Sequence, residues 1–147
     1  MNTTKNTIVV EQSFKASVSE VWKAISEIDQ MRQWFFENIE SFKAEVGFET
    51  QFNVKSEERN FLHLWKLTEV IPLKKIVYLW KYEGYDGESY VSFELFEENN
   101  QTRLRVSHTG IDSFPKAIPE FSSESCRQGW QYFINNRLRT FIEEKTL

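Results

Sequence analysis

Cysteine is nearly missing from this chain of 147 residues. Cys126 stands alone, so no intramolecular disulfide can form and no CxxC metal or redox pair exists. Proline and glycine are scarce, at three and five residues. There is no Gly/Ser/Pro linker, no internal repeat and no low-complexity tract. Long apolar runs are missing too. The longest, Ile76 to Trp80, falls far short of the roughly 20 residues that span a bilayer, so no membrane span is expected. The polar opening Met1 to Asn6 lacks the pattern of a signal peptide, and a cytoplasmic protein is expected. Without secretion, the sequons Asn2-Thr3-Thr4 and Asn100-Gln101-Thr102 have no consequence. Positive charge is in deficit: 18 Lys and Arg against 22 Asp and Glu leave a net charge of −4. That balance argues against a nucleic-acid partner, whose binders carry a basic face.

Motifs for metal or cofactor chemistry are absent as well. His63 and His108 are the only histidines, with no HxxxH, HxH or Cys-His pair. A zinc site needs three or four ligands. Nothing resembles GxSxG, HExxH or a Walker loop, and Gly84-Tyr85-Asp86-Gly87 lies between two strands, as a hairpin turn does. No metal and no cofactor are expected.

What the chain has in quantity is aromatic residues: 13 Phe, 5 Trp and 5 Tyr, or 16% of the whole. Disorder is thereby excluded. A chain this long buries roughly 68–70% of the surface it exposes when unfolded, so it needs no staple, and one domain over 1–147 is expected. The β-branched opening Thr7 to Phe14 predicts a strand. Ser17-Val18-Ser19-Glu20 fits a capping box, followed by an apolar stripe of Val18, Val21, Trp22, Ile25 and Ile28 at helical spacing. Asp29 is placed to cap a second short helix running from Gln30 to about Phe36. The pattern then turns to period two. Strands are predicted over Ile39–Glu45, Phe48–Val54, Phe61–Val70, Lys75–Tyr82, Ser89–Glu97 and Thr102–Thr109, with turn residues between them. After Gly110–Phe121, which is broken by Pro115 and Pro119, comes the clearest helix. Its stripe is Cys126, Trp130, Phe133, Ile134, Leu138, Phe141 and Ile142, with Ser122 or Ser123 as cap. Segregated strands and helices make this an α+β chain, in the order β-α-α-β6-α, with a curved antiparallel sheet around a long C-terminal helix.

Alternation assigns the inner face of that sheet. Phe61, His63, Trp65 and Leu67 share one side of their strand; Ile76, Tyr78, Trp80 and Tyr82 share one side of the next. Val91, Phe93 and Leu95 follow, then Leu104, Val106 and His108. One helix is only about 10–12 Å wide, so large side chains must fill the remaining concave space or leave a pocket.

Several segments in sequence carry a resemblance. They are Ser17 to Ile25, Trp34, Glu69-Val70-Ile71-Pro72 with Val77 to Trp80, Val91 to Leu95, Thr102 to Gly110, and Gly129-Trp130 with Leu138. In that order they resemble the START-like, helix-grip (SRPBCC) superfamily, and within it the branch of Hsp90-ATPase-activator homologues. The resemblance implies a sheet gripping the C-terminal helix around a deep hydrophobic cavity. It implies a small hydrophobic or amphipathic ligand, since superfamily members bind lipids, sterols, polyketides or plant hormones, and some catalyse cyclisation or dehydration. The branch name implies an Hsp90-type chaperone as a further partner.

Candidate ligand-contacting residues are Trp34, Phe36, Phe42, Phe52, Trp65, Trp80, Phe93 and Phe133, with Tyr78, Tyr82, His63 and His108 as polar tips. The alternative for the aromatic set is a filled core with no cavity. His63 and His108 are also the candidates for acid–base catalysis, against a structural hydrogen bond at each. Cys126, on an apolar helix stripe, reads as a small core residue rather than a nucleophile. Gly110–Phe121 is either a lid over the cavity mouth or a connector packed on the surface.

Overall fold

The computed structural model describes residues 7–145. The polar opening and the first sequon lie outside them. Strand β1 (Ile8–Phe14) leads to helices α1 (Val18–Ser26) and α2 (Ile28–Trp34). The strands β2 (Glu49–Ser56), β3 (Arg59–Ile71), β4 (Lys75–Tyr82), β5 (Ser89–Glu98) and β6 (Gln101–Thr109) follow as a meander. All six form one antiparallel sheet in the order β1-β6-β5-β4-β3-β2. Two 3₁₀ turns, Ile111–Ser113 and Pro119–Phe121, precede the C-terminal helix. That helix is built from α3 (Ser123–Gln131), a π-helical segment (Tyr132–Leu138) and α4 (Arg139–Lys145). This is the α+β helix-grip arrangement.

Local chemistry explains the joints. Ser17 accepts a hydrogen bond from the Glu20 backbone N–H, and the Glu20 carboxylate accepts one from the Ser17 N–H, which completes the capping box. Ser122 caps α3 through the Ser125 N–H. The β5–β6 turn places Asn99 and Asn100 at φ 50° and 64°, the left-handed pair that a two-residue hairpin requires. Asn135 of the C-terminal helix donates to the Glu11 carbonyl, and Arg137 donates to the Gln33 carbonyl. The helix is thereby tied to β1 at one side and to α2 at the other.

Two predicted elements differ. Ile39–Glu45 is no strand. Its buried side chains, Ile39 and Phe42, lie three residues apart rather than two, and the Arg32 guanidinium takes the carbonyls of Ile39 and Glu40 at 2.8 and 3.2 Å. The sheet therefore has one strand fewer than the β-α-α-β6-α order predicts, and β2 is its edge. Helix α2 starts at Ile28, not after Asp29, because Glu27 closes α1 and opens α2 at once; it ends at Trp34, short of Phe36.

The inner face follows alternation. Phe61, His63, Trp65, Leu67, Ile76, Tyr78, Trp80, Val91, Phe93, Leu95, Leu104, Val106 and His108 are all buried. One constraint ties the segment after β6 to the β4–β5 hairpin. Ser113 Oγ donates to the Glu88 carbonyl and accepts from the Glu88 N–H, and Gly87 sits against it at φ +107°. A Cβ at Gly87 would lie 2.5 Å from the Ser113 carbonyl oxygen. Gly87→Ala is expected to lower stability by roughly 1–3 kcal/mol. A urea-unfolding midpoint equal to wild type would contradict that tether.

Candidate functional site

Most of the aromatic inner face is filled. Trp34 is fully buried and donates its indole N–H to the Ala24 carbonyl at 2.7 Å, which locks α2 onto α1. Phe35, stacked on Trp34 at 4.6 Å and on Trp65 at 5.6 Å, stands at the centre of the ring cluster. Phe42 lies against Tyr78, and Phe52 against Trp65. Phe93 packs on Tyr78 and Trp130. The Trp65 indole N–H is buried with no partner among the described residues.

An inner cavity of about 130 Å³ lies between the sheet and the first half of the C-terminal helix. Strands β3, β4 and β6 contribute His63, Trp80, Tyr82 and His108; Phe35 and Phe36 enter from the end of α2. The helix contributes Cys126, Gly129, Trp130 and Phe133, and Glu120 stands at the 3₁₀ turn beside them. The roomiest depression, about 850 Å³ between Lys15–Glu20 and Glu97–Thr102, contains no candidate residue; two other surface grooves touch Trp65 and Phe36 from outside this cavity.

Six of the sequence candidates border the cavity: Phe36, His63, Trp80, Tyr82, His108 and Phe133. The other six, Trp34, Phe42, Phe52, Trp65, Tyr78 and Phe93, do not line it, because they are consumed in packing against one another and against Phe35. Sequence reasoning missed Phe35, Glu120, Gly129 and Trp130 as lining residues. Trp130 and Phe133 belong to one helix stripe, which was the available signal. Glu120 carried none, since it follows a proline in an irregular segment.

The two histidines have opposite roles. The Trp130 indole N–H donates to His108 Nδ1 at 3.0 Å, so Nδ1 carries no proton. The neutral ring's proton is then on Nε2, which donates to Ser89 Oγ at 2.9 Å, and Ser89 donates to the Trp80 carbonyl at 2.8 Å. Both nitrogens are engaged, and burial drops the His108 pKa to about 3. Of the two alternatives for His108, the geometry supports the structural hydrogen bond, a link between helix and sheet. His63 Nδ1 bonds the Phe61 carbonyl at 3.0 Å, which requires the proton on Nδ1 and leaves Nε2 as an unprotonated acceptor. Burial lowers the His63 pKa to about 4, against a smaller upward pull from that carbonyl. Among the described residues, Nε2 has no hydrogen-bond partner.

The remaining polar groups keep their ordinary protonation at neutral pH. Burial, and then the neighbouring Cys126, push the Tyr82 phenol upward, while the 2.9 Å hydrogen bond from the Trp80 indole pulls it down. Burial raises the Cys126 thiol to about 11, so it stays a thiol; its Sγ lies 3.8 Å from the Glu120 carbonyl oxygen. The Glu120 carboxyl is raised by desolvation. Its own backbone N–H, Ser56 and Arg59 outweigh that and hold it below the usual carboxylate range. Ser56 and Arg59 bind it at 3.0 and 3.3 Å, which fastens the second 3₁₀ turn to the β2–β3 hairpin at the cavity's edge. Phe114 and Phe121 of the same segment pack on Tyr82 at 5.2 and 4.9 Å. No group of three or more potential metal ligands occurs among the described residues. No described helix is long and apolar enough to cross a membrane.

A sheet closed over one long helix, with a small aromatic cavity between them, defines a helix-grip protein. The chain matches the family described as Activator of Hsp90 ATPase homolog 1-like protein over residues 15–143, and it belongs to that family. Among solved structures it is similar to a Chromobacterium violaceum protein, at 20% identity and a TM-score of 0.78, over 95% of this chain and 98% of that one. A Mesorhizobium loti protein gives 23% identity and a TM-score of 0.75, over 96% and 99%. The Aha1 dimer from Colwellia psychrerythraea gives 22% and 0.70, over 93% and 96%. At such identities the likeness is one of fold. No curated protein matches the sequence significantly.

The buried neutral histidines make stability depend on pH, with a definite sign. Both folded-state pKa values are depressed below the ordinary 6.5, so between the two values the unfolded chain binds more protons than the folded one. Their contribution is complete above about pH 6.5 and is lost as pH falls toward about 4 for His63 and about 3 for His108. Between about pH 6.5 and 4.5, stability should fall by up to roughly 3 kcal/mol per pH unit. Urea unfolding across that window checks it. A flat profile would contradict the neutral, buried assignment.

Proposed function

We propose that the protein binds a small, largely apolar molecule in the cavity between the sheet and the C-terminal helix. The observation that carries this reading is a cavity walled by Phe36, Trp80 and Phe133, with His63 at its border, whose Nε2 makes no hydrogen bond to another described residue. Apolar walls with a few polar anchors are the ordinary composition of a small-molecule site. Family membership supports the reading, because the helix-grip superfamily is one of ligand binders. At about 130 Å³ the cavity is smaller than the roughly 300–1,000 Å³ of drug-sized sites. It approaches the volume of about 150 Å³ that admits benzene in another protein. The ligand that enters without rearrangement is therefore a single ring or its equivalent.

A cyclase or dehydratase reading of the same cavity is less favoured. His108 has both nitrogens engaged, and His63 has no acid or base partner among the described residues. The Hsp90-type partner rests on the family description alone; failure of saturating protein to stimulate the ATPase of its host Hsp90 would remove it.

Toluene is a suitable first probe. Titrated into isotope-labelled protein, it should shift the ring signals of Phe36, Trp80 and Phe133 while leaving exposed Tyr90 unmoved. A Cβ added at Gly129 meets no atom within 4 Å. Gly129→Leu should therefore fill the cavity, abolish those shifts and raise stability by about 0.5–1 kcal/mol through helix propensity. Equal shifts in Gly129→Leu, or shifts in no cavity residue with any one-ring probe, would refute the proposal.

A further inference from the structure

The polar groups of the cavity select among one-ring molecules. This inference rests on the binding reading above and goes further by naming the ligand's functional group. His63 and Tyr82 are direct partners across β3 and β4, with ring centroids 4.8 Å apart. Each has half of its hydrogen-bonding capacity already committed. His63 spends its N–H on the Phe61 carbonyl and keeps an acceptor at Nε2. The Tyr82 oxygen accepts the Trp80 indole N–H, and its own hydroxyl proton has no acceptor among the described residues. The pair therefore presents one free acceptor and one free donor on neighbouring rings at the border of one small cavity.

A ligand group that satisfies both must donate and accept at once. A hydroxyl does this with one heavy atom. A carbonyl would leave His63 unpaired, and a methyl would leave both unpaired, which costs binding when water has to be stripped from them. Charge narrows the choice further. No lysine or arginine borders the cavity, His63 and His108 are neutral, and the one ionised group at its edge is Glu120, already held by Arg59 and Ser56. An anion would enter without a counter-charge and beside a carboxylate. The walls are rings: Trp80 lies 5.6 Å from His63, and Phe36 lies 5.2 Å from it on another side. A flat ring carrying the hydroxyl fits such walls best.

We infer that the cavity is a site for neutral phenols or small aromatic alcohols, whose hydroxyl donates to His63 Nε2 and accepts from the Tyr82 hydroxyl.

Phenol, toluene and benzoate are matched probes of nearly equal size. Phenol should bind roughly tenfold more tightly than toluene, as one or two net hydrogen bonds predict, and benzoate should not bind. In wild-type protein, phenol but not toluene should move the His63 Nε2 signal in heteronuclear NMR of the imidazole nitrogens. His63→Phe should bring phenol down to the toluene level. Should that variant not fold, Tyr82→Phe and the wild-type nitrogen signal carry the same test. Toluene binding as tightly as phenol, or an unmoved Nε2 signal with phenol bound, overturns the hydroxyl assignment and leaves the binding reading standing. Binding of neither toluene nor phenol overturns both.

Discussion

The hydrogen bond from the Trp130 indole to His108 Nδ1 is the contact on which the site depends. It joins the C-terminal helix to β6, 22 residues away in sequence. From His108 the chain of donors runs on through Ser89 to the Trp80 carbonyl, so helix, β6, β5 and β4 are held by one polar thread inside an apolar core. Every donor in that thread has an acceptor. A buried polar chain that is fully satisfied specifies a geometry; a partly satisfied one would cost more than an apolar contact. The thread also fixes the tautomer and charge of His108, since a protonated ring could not accept from Trp130.

The rest of the site follows from where the thread leaves off. Trp130, held by His108, and Phe133, one turn further along, form the helix side of the cavity, and Trp80 and Tyr82 form the sheet side. Phe35 fills the centre that a larger ligand would need, stacked between Trp34 and Trp65. The result is a cavity sized for one ring. A deep hydrophobic cavity, which the superfamily resemblance implies, would require the Phe35–Phe36 corner or the Glu120 turn to move. The Arg59–Glu120 ion pair, partly exposed at 38% and 19%, holds that turn only lightly, because such pairs contribute little in water.

Much of this was legible in the sequence, for identifiable reasons. Period-two alternation placed His63, Trp65, Tyr78, Trp80 and His108 on the buried face, since strand geometry leaves each side chain only two directions. The capping box at Ser17 and the Ser122 cap were readable because they are local. Ile39–Glu45 misled because it mixes apolar and polar residues as a strand does. What decides its conformation is a long-range partner, Arg32, that no local pattern reveals. Membership of the cavity was only half legible. Whether an inward aromatic lines space or fills it depends on its neighbours in three dimensions. Phe42, Phe52 and Phe93 could not be told apart from Phe36 and Phe133 by position alone. The opposite roles of the two histidines were likewise hidden, because they depend on one indole and one carbonyl brought in by tertiary structure.

Assignment of the imidazole tautomers by heteronuclear NMR at neutral pH decides whether the Trp130–His108–Ser89 thread and the free His63 acceptor exist. His63 should carry its proton on Nδ1 and His108 on Nε2, and neither ring should become charged until well below the ordinary histidine range. Identical tautomers in the two rings, or a midpoint near 6.5 for either, would contradict that arrangement.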